Sequence, residues 1–264
     1  MTAGMKTLLA VALMVATPAL ARVVSKPVAY DLEKTKFEGV LIYDDAVKAP
    51  RPGLVLVPNW LGITPANLKQ AEEVAGQKYI VFVADMFGKM GRPKNMDEAG
   101  KISGAVKADR KLMRARVAKA LDVLNAEGKK AGMAEGKVGA VGFCFGGTSA
   151  LELARSGAKI GAVVSIHGGL SSPTPDDAKA ITAKVLALHG ADDPFVPAEE
   201  VAGFQAEMKG AGPNLDWQLV AFGNAVHSFT DVDANMVGKA QYNAKAARRA
   251  YEMMNTFFAE AFGT

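Results

Sequence analysis

The chain has one cysteine and three histidines in 264 residues, and that scarcity narrows its chemistry at once. A lone cysteine cannot close an internal disulfide, so the fold must rest on its apolar core. There is no cluster of Cys and His at zinc-ligand spacing, no H-E-x-x-H, no phosphate-binding P-loop and no G-x-G-x-x-G after the early strands. No metal and no organic cofactor is therefore expected. No block of like charge and no low-complexity segment occurs, and the formal net charge of +4 is mild, so nucleic acid is not an expected partner. No internal repeat and no linker divides the chain.

The first residues, "MTAGMKTLLAVALMVATPALA", have a basic start at Lys6, an apolar run from Leu8 to Val15 and a small-residue motif, Ala19-Leu20-Ala21. The run is shorter than the roughly 18 to 20 residues that cross a bilayer, and the cleavage motif follows it directly. Residues 1–21 are read as a secretory signal peptide, leaving 22–264 as a single periplasmic or secreted domain with no stable membrane association. Half of the residues are hydrophobic, enough for a sizeable core.

Two partly alternating runs in "VAYDLEKTKFEGVLIYDD" predict antiparallel edge strands. From Leu54 the pattern changes. Continuous apolar runs (Leu54 to Val57, "YIVFVA", "KVGAVGF", "IGAVVSI", "KVLALHG") alternate with segments of helical periodicity. One such helix carries Leu68, Ala71 and Val74, another Val106 through Leu124, and a closing one Met253, Phe257 and Ala261. The alternation predicts an α/β fold with a mostly parallel central sheet and helices on both faces. Phe87 to Gly104 is read as a surface connection, with a flap over the site as the alternative. Ligands of such sheets bind beyond the carboxyl ends of the strands, so chemistry is sought in the loops that follow them.

Gly142-Phe143-Cys144-Phe145-Gly146 lies between a predicted strand and a predicted helix, the context that gives a G-x-nucleophile-x-G pattern meaning. A sharp strand-to-helix turn leaves room only for small neighbours, which Gly142, Gly146 and Gly147 supply. A helix N-terminus favours the thiolate over the thiol, and the Phe145 N–H can face a developing oxyanion. The competing reading of Cys144 is a small buried hydrophobe.

A thiol nucleophile needs a base. His167 and His189 each close a strand, whereas His227 lies in the loop "FGNAVHSF" before the last helix. Only His227 follows a strand-end acid, in the order nucleophile, acid, histidine. The acid is Asp192 or Asp193, and spacing does not separate them.

"GFCFGG", "GADDPFVP" and "HSF" together resemble the dienelactone hydrolases of the α/β-hydrolase superfamily, and the likeness extends to "LVLVPNWLG" and "VADMFG". The resemblance implies a Cys144, Asp193, His227 triad, with Asp193 as the acid and the Trp60 and Phe145 amides as the oxyanion hole. It places Asn59 where members with dienelactone activity carry a glutamate. It also places Lys89 and Asp231 where two arginines hold the substrate carboxylate. These three, with His167, are the expected substrate-binding residues. A carboxylate in place of a guanidinium reverses the Coulomb term toward an anionic substrate. A neutral or differently charged ester or lactone is therefore expected, cleaved through an acyl-enzyme by a monomer or weak dimer. The alternatives are a ligand-binding or thiol-sensing protein on the same fold, and an acyltransferase or thioesterase using the same residues.

Overall fold

The continuous apolar runs become the middle of one eight-stranded sheet. The computed structural model describes residues 23–264, so the expected signal peptide lies outside the described residues. Strands β1 (Val23–Leu32) and β2 (Thr35–Asp44) form an antiparallel hairpin, and β2 pairs antiparallel with β4 (Ile80–Val83). The remaining pairings in this sheet are parallel: β4 with β3 (Arg51–Val57), then β5 (Met133–Phe143), β6 (Ala162–Ile166), β7 (Lys184–Gly190) and β8 (Trp217–Phe222). All residues of β3, β4 and β6 are buried, as two covered faces require.

Helices cover both faces. On one side α3 (Arg110–Lys130), α4 (Phe145–Arg155) and α5 (Ala198–Gly210) pack Met113, Val117, Leu151 and Phe204 against the sheet. On the other, α1 (Pro65–Ala75) and α6 (Ala244–Phe262) contribute Ala71, Val74, Met254 and Phe258. The spatial order runs β1-β2-β4-β3-β5-β6-β7-β8. After β3 the chain steps outward to β4 and then returns to β5 on the opposite side. That reversal opens a crevice at the carboxyl ends of β3 and β5, where side chains from both loops can meet a ligand.

Two stretches differ from expectation. Val106 and Met113 do not share one helix: α2 (Met96–Ala108) ends at Asp109, whose carboxylate accepts the Leu112 N–H and starts α3. Nor is Phe87 to Gly104 wholly a connection, since α2 occupies its second half. Asn95 caps that helix by accepting the Glu98 N–H, and Glu98 accepts the Lys94 N–H in return, a variant of the reciprocal capping pattern. Asn95-x-x-Glu98 was the visible signal for it. Beyond β8, two-residue strands β9 (Asn235–Met236) and β10 (Ala240–Gln241) form a small hairpin.

Every residue of α4 is buried, and its C-terminal Arg155 is 1% exposed. Its guanidinium makes two 2.7 Å bonds to Glu207 of α5, one of 3.1 Å to Glu152, and donates to the Leu170 carbonyl at 2.8 Å. Glu152 is shared with Arg114 of α3 at 2.7 Å. Arg155 thus joins three helices and the loop after β6, and removing it strands the Glu207 carboxylate in the interior. Arg155→Met should lower unfolding free energy by about 3–5 kcal/mol, the usual effect of breaking a buried pair from one side. The shift is read as a lower urea midpoint at unchanged slope.

Candidate active site

Cys144 sits at the N-cap of α4 with φ +55° and ψ −119°, a conformation that side-chain-bearing residues seldom adopt. The turn tolerates no bulk beside it. A Cβ on Gly142 would overlap the Gly146 carbonyl, and one on Gly146 would overlap the Val57 carbonyl at the end of β3. The glycines of the motif are therefore required by backbone approaching backbone. Cys144 as a residue is half-buried rather than sealed.

His227 Nε2 lies 3.0 Å from Cys144 Sγ, and His227 Nδ1 lies 2.7 Å from Asp193 Oδ2. Asp193 follows β7, is 4% exposed, and takes the Phe195 N–H on its other oxygen at 2.8 Å. Asp192 is exposed, so the structure separates the two acids that spacing could not. Burial opposes a charge on His227, but the Asp193 carboxylate and the Cys144 sulfur outweigh it and push the imidazole up to about 10.

The small hairpin holds the histidine from outside. The His227 N–H donates to the Lys239 carbonyl at 3.1 Å, and the Gln241 N–H donates to the His227 carbonyl at 2.9 Å. Sequence reading missed this support, because two-residue strands are too short to show a period. Phe195, half exposed, sets its ring edge-on to His227 at 5.3 Å.

Asn59 organises the loop after β3. Its Oδ1 accepts the Leu61 N–H at 3.0 Å and Asn67 Nδ2 at 2.8 Å, while its carbonyl accepts the Gly62 N–H at 2.9 Å. The amides after Trp60 are thus engaged, and those of Trp60 and Phe145 donate to no protein acceptor among the described residues. Trp60 is half-buried, and Phe145 packs against Phe87 at 5.5 Å between ring centres.

The other residues expected at the substrate have protein partners of their own. Lys89 is drawn to Glu38 on β2 at 2.9 Å. Asp231 accepts the Asp233 N–H and lines a cavity of about 190 Å³ with Asn67, Gln70, Thr230 and Tyr251. His167, also expected at the substrate, is interior. It is 2% exposed, with Nδ1 accepting the Cys144 N–H at 3.2 Å and Nε2 at 2.8 Å from Thr230 Oγ1, so it has no free nitrogen to offer a substrate. Burial lowers the basicity of His189, whose Nδ1 has no partner among the described residues. Among those residues no group of His, Cys, Asp and Glu is arranged to hold a metal ion.

Comparison with known proteins gives consistent results. The dienelactone hydrolase family model matches residues 37–262. A solved structure named m3DLH superposes with a TM-score of 0.83 at 35% identity, covering 91% of this chain and 99% of its own. A dienelactone hydrolase-like promiscuous phosphotriesterase, P91, from metagenomic libraries does so with a TM-score of 0.83 at 34% identity and the same coverage. A Yersinia pestis protein provisionally named carboxymethylenebutenolidase is 23% identical over 225 residues, 82% of this chain and 80% of its own.

The sulfur–imidazole contact makes its own prediction. Iodoacetamide should alkylate Cys144 at about pH 6 at least tenfold faster in the wild type than in His227→Ala, because a lone thiol ionises only near pH ~8.5. The raised imidazole keeps a positive charge beside the sulfur through the neutral range, so the difference between the two proteins should persist from about pH 6 to 8. Equal rates for the two proteins from about pH 5 to 8 would contradict the pairing.

Proposed function

Since this chain belongs to the dienelactone hydrolase family, we propose that it is an exported hydrolase cleaving a neutral carboxylic ester or lactone through a Cys144 acyl-enzyme. The observation that carries the reading is the unbroken line from Asp193 Oδ2 through His227 to Cys144 Sγ, with contacts of 2.7 and 3.0 Å. Charged imidazole beside sulfur supplies a nucleophile without a separate base, which suits a site where Asn59 stands in place of a proton-accepting glutamate.

In the first half-reaction the sulfur adds to the carbonyl carbon, and the oxyanion takes the free Trp60 and Phe145 amides. Collapse breaks the carbon–oxygen bond, the departing alkoxide receives the His227 proton, and a Cys144 thioester remains. In the second, His227 removes a proton from water, hydroxide adds to the thioester, and the sulfur leaves as thiolate beside the reprotonated ring. Asp193 keeps Nδ1 as the donor throughout and stabilises the imidazolium.

The surroundings favour an uncharged substrate. Lys89 pairs with Glu38 at the surface and Asp231 is itself an acid, so these two positions together bring no net positive charge to a substrate carboxylate. At ~4 Å a misplaced like charge is unfavourable by a few kcal/mol at an effective dielectric near ~20. The activity named for the P91 relative makes a neutral phosphotriester a sensible second electrophile to assay.

p-Nitrophenyl acetate should turn over with Cys144 dependence, Cys144→Ala losing at least about a thousandfold in kcat. kcat/KM for neutral esters and lactones should exceed that for carboxylate-bearing lactones by about tenfold or more. An acylated Cys144 should accumulate in His227→Ala, read by mass spectrometry. Saturable ligand binding with no turnover of any ester would instead favour a non-catalytic role. Export is checked by intact mass, the mature chain beginning at Arg22.

A further inference from the structure

His167 is sealed behind the reacting groups, yet it touches the supports of two of them. Its φ is +40°, so it and Cys144 are two left-handed, side-chain-bearing residues brought face to face. The loop that carries it is tight: a Cβ on Gly168 would come within 2.8 Å of Gly147 Cα in the first turn of α4. The His167 N–H is fixed in turn by the Leu188 carbonyl at 2.8 Å.

The hydrogen bonds determine the tautomer. The Cys144 N–H is shared between the Ile166 carbonyl at 3.0 Å and His167 Nδ1 at 3.2 Å; because that amide can only donate, Nδ1 accepts and carries no hydrogen, and Nε2 donates to Thr230 Oγ1 at 2.8 Å. Thr230 lies on the His227 loop, and its hydroxyl is 3.5 Å from Gln70 Nε2, which donates to the Tyr251 hydroxyl at 3.0 Å. A bonded chain therefore runs from the nucleophile's own amide, through one imidazole, to the loop that carries the other, and is anchored on α1 and α6.

We propose that His167 is a positioning residue, whose neutral ring straps the Cys144 amide to Thr230 and thereby sets the distance between the sulfur and His227. The inference rests on the hydrolytic reading of that pair. A protonated His167 would turn Nδ1–H against the Cys144 N–H and undo the strap. Its setting prevents this. Burial and the adjacent His227, whose ring lies 5.4 Å away and edge-on, both drive His167 well below the ordinary histidine range. The other side chains against it, Phe143, Phe229 and Thr230, bring no charge, and burial pushes the Tyr251 phenol beyond Thr230 up to about 12, so it too is neutral. Of two neighbouring imidazoles, one is kept charged for chemistry and the other uncharged for geometry.

Thr230→Val removes the acceptor at nearly constant shape, and Thr230→Ser keeps it. For Thr230→Val, kcat with p-nitrophenyl acetate should fall about tenfold with KM changed less than about twofold, since an ångström-scale misplacement acts on the reacting geometry. Iodoacetamide alkylation of Cys144 at about pH 6 should slow by a similar factor, and Thr230→Ser should restore both to within about threefold of wild type. If the valine and serine variants match in kcat and in alkylation, the strap has no role beyond stability, even where the urea midpoint of Thr230→Val drops; loss in both variants overturns it as well. Should Thr230→Val fail to fold, Thr230→Ala is read by the same alkylation profile against Thr230→Ser. If the wild-type protein hydrolyses no ester, the hydrolytic reading fails alone, and the alkylation profiles still decide whether the strap governs the pair.

Discussion

Contact between backbone and backbone at Gly142, Gly146 and the end of β3 is the constraint from which the rest of the site follows. With no side chain at either glycine, the turn after β5 closes tightly enough to hold Cys144 at φ +55° and to bring the β3 loop alongside. A residue forced into that conformation holds its side chain clear of the sheet, where a group from a distant part of the chain can reach it. His227, 83 residues later, does so at 3.0 Å. Asp193, the hairpin behind His227 and the loop turned by Asn59 each fix one remaining freedom around the sulfur.

The electrostatics follow the same division. Asp193, His227 and Cys144 form one hydrogen-bonded line in a partly buried setting, in which the Asp193 carboxylate and the Cys144 sulfur raise the imidazole. Directly behind it lies an imidazole that the same burial holds neutral. The Arg155 cluster, at the far end of α4, compensates its buried charges internally through Glu152 and Glu207. The Cys144–His227 pair and the Arg155 ionic cluster thus sit at opposite ends of one buried helix.

Much of this was readable in the chain because the physics was local. The elbow is a five-residue steric pattern, and the buried strands are uninterrupted apolar runs, so Cys144 and the parallel sheet could be named in advance. His227 needed only chain order. The choice of Asp193 over Asp192 came from resemblance, since adjacent carboxylates differ only in which one the turn after β7 directs inward. The sequence did not separate a substrate-facing His167 from an interior one, because a strand-end histidine reads the same in either setting and its positive φ leaves no trace in composition. The α2–α3 break was marked by Asp109, but apolar spacing on both sides carried the helical pattern across it. β9 and β10 are held by tertiary contact with His227 rather than by any periodicity of their own.

That hairpin has a consequence for how the molecule can change over time. Two strands of two residues each have little cohesion of their own, and Met236 and Val237 at the tip are largely exposed. The His227 ring is therefore moored to one of the more weakly held pieces of the architecture. Substitutions in residues 232–242 therefore bear on the placement of His227 more than on the core packed around α4.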